Sequence, residues 1–253
     1  MSRERRFHVS DLDSETVRLS SEEAHHLVEV LRLREGAEVS LFDGKGGAAR
    51  ARVHRIAGGE VELRILGPER SRESPLSLTL AVAPPKGDRM SFLIEKLTEL
   101  GVTRVIPLET ERGRSGKSLE RWRRIAAESC KQSGRSRSLE VAAPRSLEEV
   151  LHEQGRLMAA HPGAPSLSPP SATAAIVALI GPEGGWSEKE LALAASRGAT
   201  LFGLGPRTLR TETAAIAVAT LLQYLAGDLS KEIQLQGDTG IGGDREINRF
   251  NRS

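Results

Sequence analysis

Hydrophobic positions along the first 75 residues change their spacing once. Ser20-Ser21-Glu22-Glu23 opens a stretch in which Ala24, Leu27, Val28 and Leu31 fall on one helical face, and Ser20 with Glu23 has capping-box spacing. Beyond that helix the period drops to two. Val39 and Leu41, Ala51 and Val53, then Val61, Leu63 and Ile65 alternate with polar neighbours. Asp43-Gly44-Lys45-Gly46-Gly47 and Ala57-Gly58-Gly59 supply the turns between these runs. Short antiparallel strands with one helix predict a small barrel that ends near Pro68–Pro75.

From Leu76 the rhythm is strand, helix, strand. LSLTLAVA reads as a buried strand, and Asp88 as the cap of a helix with Met90, Leu93, Ile94, Leu97 and Leu100 on one side, stopped by Gly101. VTRVIPL is the next strand. Ser118–Gln132 is a helix with Leu119, Trp122, Ile125, Ala126 and Ser129 inward. A short helix from Ser146, a strand over Leu157–Ala160 and the buried strand AAIVALI follow. Ser187 and Glu190 form another capping box before a helix that ends at Gly198. Leu201–Leu204 is the last strand and Thr211–Tyr224 the last helix. Such alternation predicts an α/β fold, a mainly parallel sheet flanked by helices on both faces. The expected organisation is therefore residues 1–74, 75–228, and a polar, glycine-rich tail over 229–253 expected to be disordered. Pro162–Pro170 reads as a short linker within the second unit.

Composition narrows the class without deciding it. The N-terminal segment MSRERRFHVSDLDS has no apolar region, so no secretory signal is expected, and no apolar run approaches the roughly 20 residues of a membrane helix. The single cysteine, Cys130, excludes an intrachain disulfide and a cysteine-based zinc site, and points to a reducing cytoplasm. Net charge is only +2, but it is unevenly spread. Between Arg112 and Arg137 nine bases (Arg112, Arg114, Lys117, Arg121, Arg123, Arg124, Lys131, Arg135, Arg137) face only Glu120 and Glu128. That excess is either an electrostatic footprint for a polyanion or a solvated helix face with a basic loop.

Two segments stand out as candidate chemistry. Leu179-Ile180-Gly181-Pro182-Glu183-Gly184-Gly185-Trp186 and Leu204-Gly205-Pro206-Arg207-Thr208-Leu209-Arg210-Thr211-Glu212 each run from a strand into a helix. In open α/β sheets ligands bind beyond the carboxyl ends of the strands, and glycine lets the backbone approach them closely. Better-known motifs fail. Gly203 and Gly205 lack the third glycine of a dinucleotide fingerprint, Gly113–Ser118 imitates a P-loop but has Glu111 where glycine is needed, and no G-x-S-x-G elbow exists. His25 and His26 are adjacent on a helix and cannot share a face, so no metal is expected.

LIGPEGG, LGPRTLRTETA, Cys130-Lys131-Gln132-Ser133-Gly134-Arg135 and the early HHLVEVLRLREG with LFDG together resemble the RsmE family, ribosomal RNA small-subunit uracil-N3 methyltransferases of the SPOUT superfamily. The resemblance runs from about Arg5 to Leu229. Trp186 after the diglycine and the tail depart from the pattern. The resemblance implies a PUA-like β-barrel RNA-binding domain followed by a trefoil-knotted SPOUT methyltransferase domain. It also implies a homodimer, S-adenosylmethionine as methyl donor, and 16S ribosomal RNA of the small subunit as acceptor. The donor pocket it implies draws on Ala160 and His161, on Ile180, Gly181, Pro182, Glu183, Gly184 and Gly185, and on Leu204, Gly205, Leu209, Arg210 and Thr211. A non-catalytic RNA-binding assembly factor and a ribose 2′-O-methyltransferase are the competing readings.

Methyl transfer from a sulfonium is an in-line displacement, so positioning matters more than covalent catalysis. Uracil N3 carries a proton at neutral pH, which must be removed and the resulting imidate stabilised. A fixed cation, Arg210 or Arg207, suits the second task. A carboxylate, Glu183 or Glu212, could orient the donor or take the proton. Arg210 and Glu212 are the expected catalytic pair. RNA contacts are expected at Arg121, Arg124, Lys131, Gln132, Arg135, Arg137 and Arg207, mostly to phosphates, because aromatic residues are only 3% of the chain. Arg3, Arg5 and Arg6 read as a solvated terminus or, failing that, as a basic arm added from the barrel.

Overall fold

The computed structural model describes residues 5–70, 72–85, 87–109, 119–168 and 175–230. Strands β1 (Arg6–His8) and β2 (Thr16–Arg18) precede a one-turn helix α1 (Ser21–His25). Ser20 Oγ accepts the Glu23 N–H, as its spacing requires, but no return bond from the Glu23 carboxylate to Ser20 forms. Glu23 instead accepts the His8 N–H and pairs with Lys131 of the second unit, because α1 lies at the junction between the two. The helix then widens into a π-turn over His26–Val30. β3 (Glu38–Phe42), β4 (Ala48–Ala57) and β5 (Glu60–Pro68) follow, giving a five-stranded sheet in the order β1-β3-β4-β5-β2. Val39 lies opposite Ala51 and Val53 opposite Leu63, so the period-two positions share one core with Phe7, Leu27 and Leu41. The sheet is not wholly antiparallel: β1 runs parallel to β3, Phe7 opposite Leu41. Three residues carry no period, so burial of Phe7, not a sequence signal, recruits this strand.

The second unit contains β6 (Ser77–Val82), α2 (Arg89–Glu99), β7 (Arg104–Glu109), α3 (Leu119–Ser133), β8 (Glu140–Val141) and β9 (Arg145–Ser146). It continues with α4 (Leu147–Val150), β10 (Arg156–Ala160), β11 (Ala175–Ile180), α5 (Glu188–Ser196), β12 (Thr200–Phe202) and α6 (Thr211–Ala226). Strand order is β12-β10-β11-β6-β7-β8, every pairing parallel, with β9 extending along β7. Alternate residues of the strands feed two cores. Leu78, Leu80 and Val82 pack with Leu93, Trp122 and Leu222 of α2, α3 and α6, while Ala81, Val177 and Leu179 pack with Val150 and Ala194 of α4 and α5. The α/β expectation thus holds, with helices on both faces. Both later capping boxes, Ser146 with Glu149 and Ser187 with Glu190, are complete.

Two local expectations need correction. Asp88 occupies the cap position of α2, but its side chain caps nothing; it accepts Arg121 Nη1 at 2.8 Å. β12 stops at Phe202, two residues early, because Gly203 turns its N–H onto the Pro165 carbonyl at 2.7 Å. At Gly203 the chain passes so close to residue 164 that any Cβ would overlap the Ala164 carbonyl oxygen. That passage admits only glycine.

The two units are joined by a buried polar lock. The Glu73 carboxylate accepts Arg135 Nε (3.2 Å) and Nη2 (2.8 Å) and the N–H groups of Ser136 (2.8 Å) and Arg137 (2.9 Å). Burial opposes its charge, but Arg135 and the two amides outweigh this and hold the carboxyl below its ordinary range. Arg135 Nη1 also donates to the Thr98 and Val102 carbonyls, at 3.1 and 2.8 Å. Arg6, expected in solvent, is buried and donates to the Arg135 carbonyl.

Candidate active site

The carboxyl ends of β10, β11 and β12 open into one cleft of about 670 Å³ including its mouth. It lies beyond the carboxyl ends of parallel strands, where open α/β sheets bind their ligands. Ile180, Leu204, Leu209 and Ala214 make its walls apolar. Trp186 forms part of the wall and is anchored by Nε1, which donates to the Ala160 carbonyl at 2.9 Å. A Cβ on Gly181 would lie 2.8 Å from the Trp186 ring, so this glycine is required by the indole. Gly205 differs: its φ is +89° and nothing stands within 4 Å of a Cβ there, so it borders open space. The two glycine loops are tied directly, Thr211 Oγ1 donating to the Gly181 carbonyl at 3.3 Å. His161 lines the cleft, and its buried Nδ1 has no partner among the described residues.

A second, more open cleft adjoins the first. Glu183, Thr208 and Leu209 line both, and Arg89 and Arg210 complete the second. Arg89, first residue of α2, ties the loops a second time. Its Nη1 lies 3.2 Å from Glu183 Oε1 and 3.6 Å from Glu212 Oε1. Arg210 caps α6 by backbone geometry alone, and its exposed side chain has no partner among the described residues.

Residues 72–223 match a family model described as an RNA methyltransferase domain, and residues 19–66 one described as an RNA methyltransferase PUA domain. A Synechocystis protein called ribosomal RNA small subunit methyltransferase E is 38% identical over 213 residues, 79% of this chain and 70% of that one. Its Bacillus subtilis namesake is 29% identical, over 84% of this chain and 91% of that one. This chain belongs to the RsmE family of RNA methyltransferases. Among solved structures, an RsmE protein of Neisseria gonorrhoeae bound to S-adenosyl methionine superimposes with a TM-score of 0.80. It is 36% identical, and the match covers 89% of this chain and 99% of that chain.

Within this RsmE fold the expected donor-pocket residues largely converge. Ala160, His161, Ile180, Gly181, Pro182 and Glu183 line the first cleft, as do Gly185, Leu204, Gly205, Leu209 and Thr211. Gly184 does not line it, and Arg210 lies on the second cleft. Of the expected catalytic pair only Arg210 reaches a cleft. The Glu212 side chain is 12% exposed, lines neither cleft, and keeps Oε2 buried with no partner among the described residues. Sequence reasoning missed Arg89 and the wall role of Trp186. Arg89 carries no motif of its own; the helix start beside β11 was the available signal.

The expected RNA contacts divide. Arg207, at the rim of the first cleft, and Gln132 are exposed. Arg124 faces Glu128 at 3.9 Å with both side chains in solvent. Arg121 and Lys131 are already paired, with Asp88 and Glu23. Arg137 is exposed but pairs through its backbone with Gly44 and Lys45. Arg135 must be withdrawn: its guanidinium is spent on Glu73 and two carbonyls, and its side chain is 5% exposed. Arg112, Arg114 and Lys117, and the tail from 231 on, lie outside the described residues. Among the described residues no group of three metal-ligating side chains exists, and no helix is long and apolar enough to cross a membrane.

Proposed function

We propose that this protein transfers the methyl group of S-adenosylmethionine to N3 of a uridine in 16S ribosomal RNA of the small subunit. In this reading residues 1–74 form the RNA-binding domain, 75–228 the methyltransferase domain, and the enzyme works in the cytoplasm as a homodimer. The observation that carries it is the apolar cleft between two glycine loops at the ends of adjacent parallel strands, in a chain similar to a protein solved with this donor.

The residues present fit such a donor. Ile180, Trp186, Leu204 and Leu209 offer flat apolar surface for an adenosine, Gly205 leaves space that a Cβ would fill, and His161 Nδ1 is an unused buried polar atom. The donor supplies an electrophilic methyl group on a positive sulfur. The chain must hold the uracil in line with it, take the N3 proton and steady the imidate. Arg210, free at the mouth of the second cleft, is placed for the last task. The trefoil knot that the resemblance implies is supported by the passage of residues 164–166 against 203, where Ser166 pairs with Gly203. Dimer formation is supported by Phe92 on α2 and Leu221 and Tyr224 on α6, large apolar side chains exposed on two helices that pack together.

Mass spectrometry of 16S RNA from cells lacking the gene, before and after methylation by the purified protein, tests the reading. A single N3-methyluridine should be absent in the first and restored in the second. Methylation on a ribose or on another base would refute it.

A further inference from the structure

Both Glu183 and Glu212 were candidates for the proton acceptor, and the geometry separates them. Glu212 faces neither cleft. Glu183 lines both, with a side chain 47% exposed, at the seam where a donor in the first cleft would meet a base entering the second. Its two oxygens are not equivalent. Oε1 is held by Arg89, and Oε2 has no partner among the described residues. Arg89 is in turn braced by Glu212 from the start of α6. A carboxylate fixed through one oxygen and open at the other suits proton transfer, because it needs no rearrangement when the base arrives.

We propose that Glu183 is the catalytic residue that accepts the uracil N3 proton, and that Arg89, braced by Glu212, is its positioning residue. This rests on the reading of the protein as a uracil-N3 methyltransferase. In the step, the N3–H bond breaks and its proton goes to Glu183 Oε2. The electron pair left on N3 forms the bond to the methyl carbon. The carbon–sulfur bond breaks with its pair returning to sulfur, which becomes a neutral thioether. No further oxidant, reductant or co-reactant is needed.

The test is single-turnover methylation of small-subunit RNA with saturating donor, using uridine or 5-fluorouridine transcripts. Fluorine acidifies the N3 proton, so the modified transcript depends less on a base. Glu183→Gln should slow methylation of the uridine transcript by about 10²-fold or more, the range for loss of a general base. RNA and donor affinities should stay near wild type. The loss should shrink on the 5-fluorouridine transcript and at pH about 9, where uracil ionises increasingly without help. Arg89→Met should lose about tenfold by leaving the carboxylate unheld, and Arg89→Lys should recover part of it. A normal rate in Glu183→Gln overturns the proposal. So does a slow rate that neither the fluorinated base nor high pH improves, since that would be a structural defect. If Glu212→Gln shows the large, rescuable loss instead, Glu212 is the acceptor and the proposal fails. Failure of the underlying reading looks different: the wild-type protein would then yield no N3-methyluridine at all.

Discussion

Replacing Glu73 with glutamine removes the charge from the lock between the two units while keeping its shape. The carboxylate accepts Nε and Nη2 of Arg135 on one oxygen and the amides of Ser136 and Arg137 on the other. A glutamine has one acceptor oxygen, so its NH₂ would face either the guanidinium or the two amides, donor against donor. At least two charge-assisted bonds are lost, each worth about 1.5–3 kcal/mol. Where the NH₂ faces the guanidinium, Arg135, almost wholly buried, is left with its two carbonyl partners. Breaking a buried pair from one side costs about 3–5 kcal/mol, and that range is the expectation here at pH 7. The pH dependence follows from the sign of the shift. Glu73 is held below its ordinary range in the folded protein, so its stabilisation is full above the unfolded value and fades as pH falls through the folded one. Urea unfolding of both proteins at pH 7 and at successively lower pH to about 3 should show the gap narrowing in acid. A gap under about 1 kcal/mol at neutral pH would refute the argument. A gap that stays constant into acid would refute it equally.

Two further outcomes follow from the site. Gly205→Ala should fold, with a cost of about 1–3 kcal/mol for a side chain at positive φ, but donor binding by calorimetry should weaken at least tenfold; wild-type affinity would remove Gly205 from the donor wall. Replacing Arg207 with glutamine should weaken RNA binding and reduce its logarithmic salt slope by about 0.7, the share of one contact to single-stranded RNA; an unchanged slope would mean that Arg207 does not touch phosphate.

The elements that could be read from the chain are those whose own residues bury them. α2, α3 and α6 have complete apolar faces, β6 and β11 are continuous apolar runs, and each was legible to within one or two residues. β1 was invisible because three residues show no period, and its partner β3 lies some 30 residues away. The glycine loops were legible as places, since strand, Gly-Pro and capped helix follow in order. Their internal wiring was not. Arg89 meets Glu183 and Glu212 across 94 and 123 positions of sequence, and only the parallel packing of β6 beside β11 makes them neighbours. Charge counting misled for the same reason. Arg135 sits in the most basic stretch of the chain, yet its countercharge, Glu73, arrives from the segment between β5 and β6.

The tight passage at Gly203 bears on two walls of the cleft at once. One wall, at His161 and Pro162, continues into the segment that this glycine touches; another, at Leu204 and Gly205, leaves directly from it. No methyl group fits between them, so the contact that joins these two walls depends on Gly203 having no side chain. The remaining wall, residues 181–186, is held by three separate ties: the Trp186–Ala160 bond, the Thr211–Gly181 bond and the Arg89–Glu183 pair. One glycine thus joins two walls of the cleft, whereas three side-chain contacts join the third.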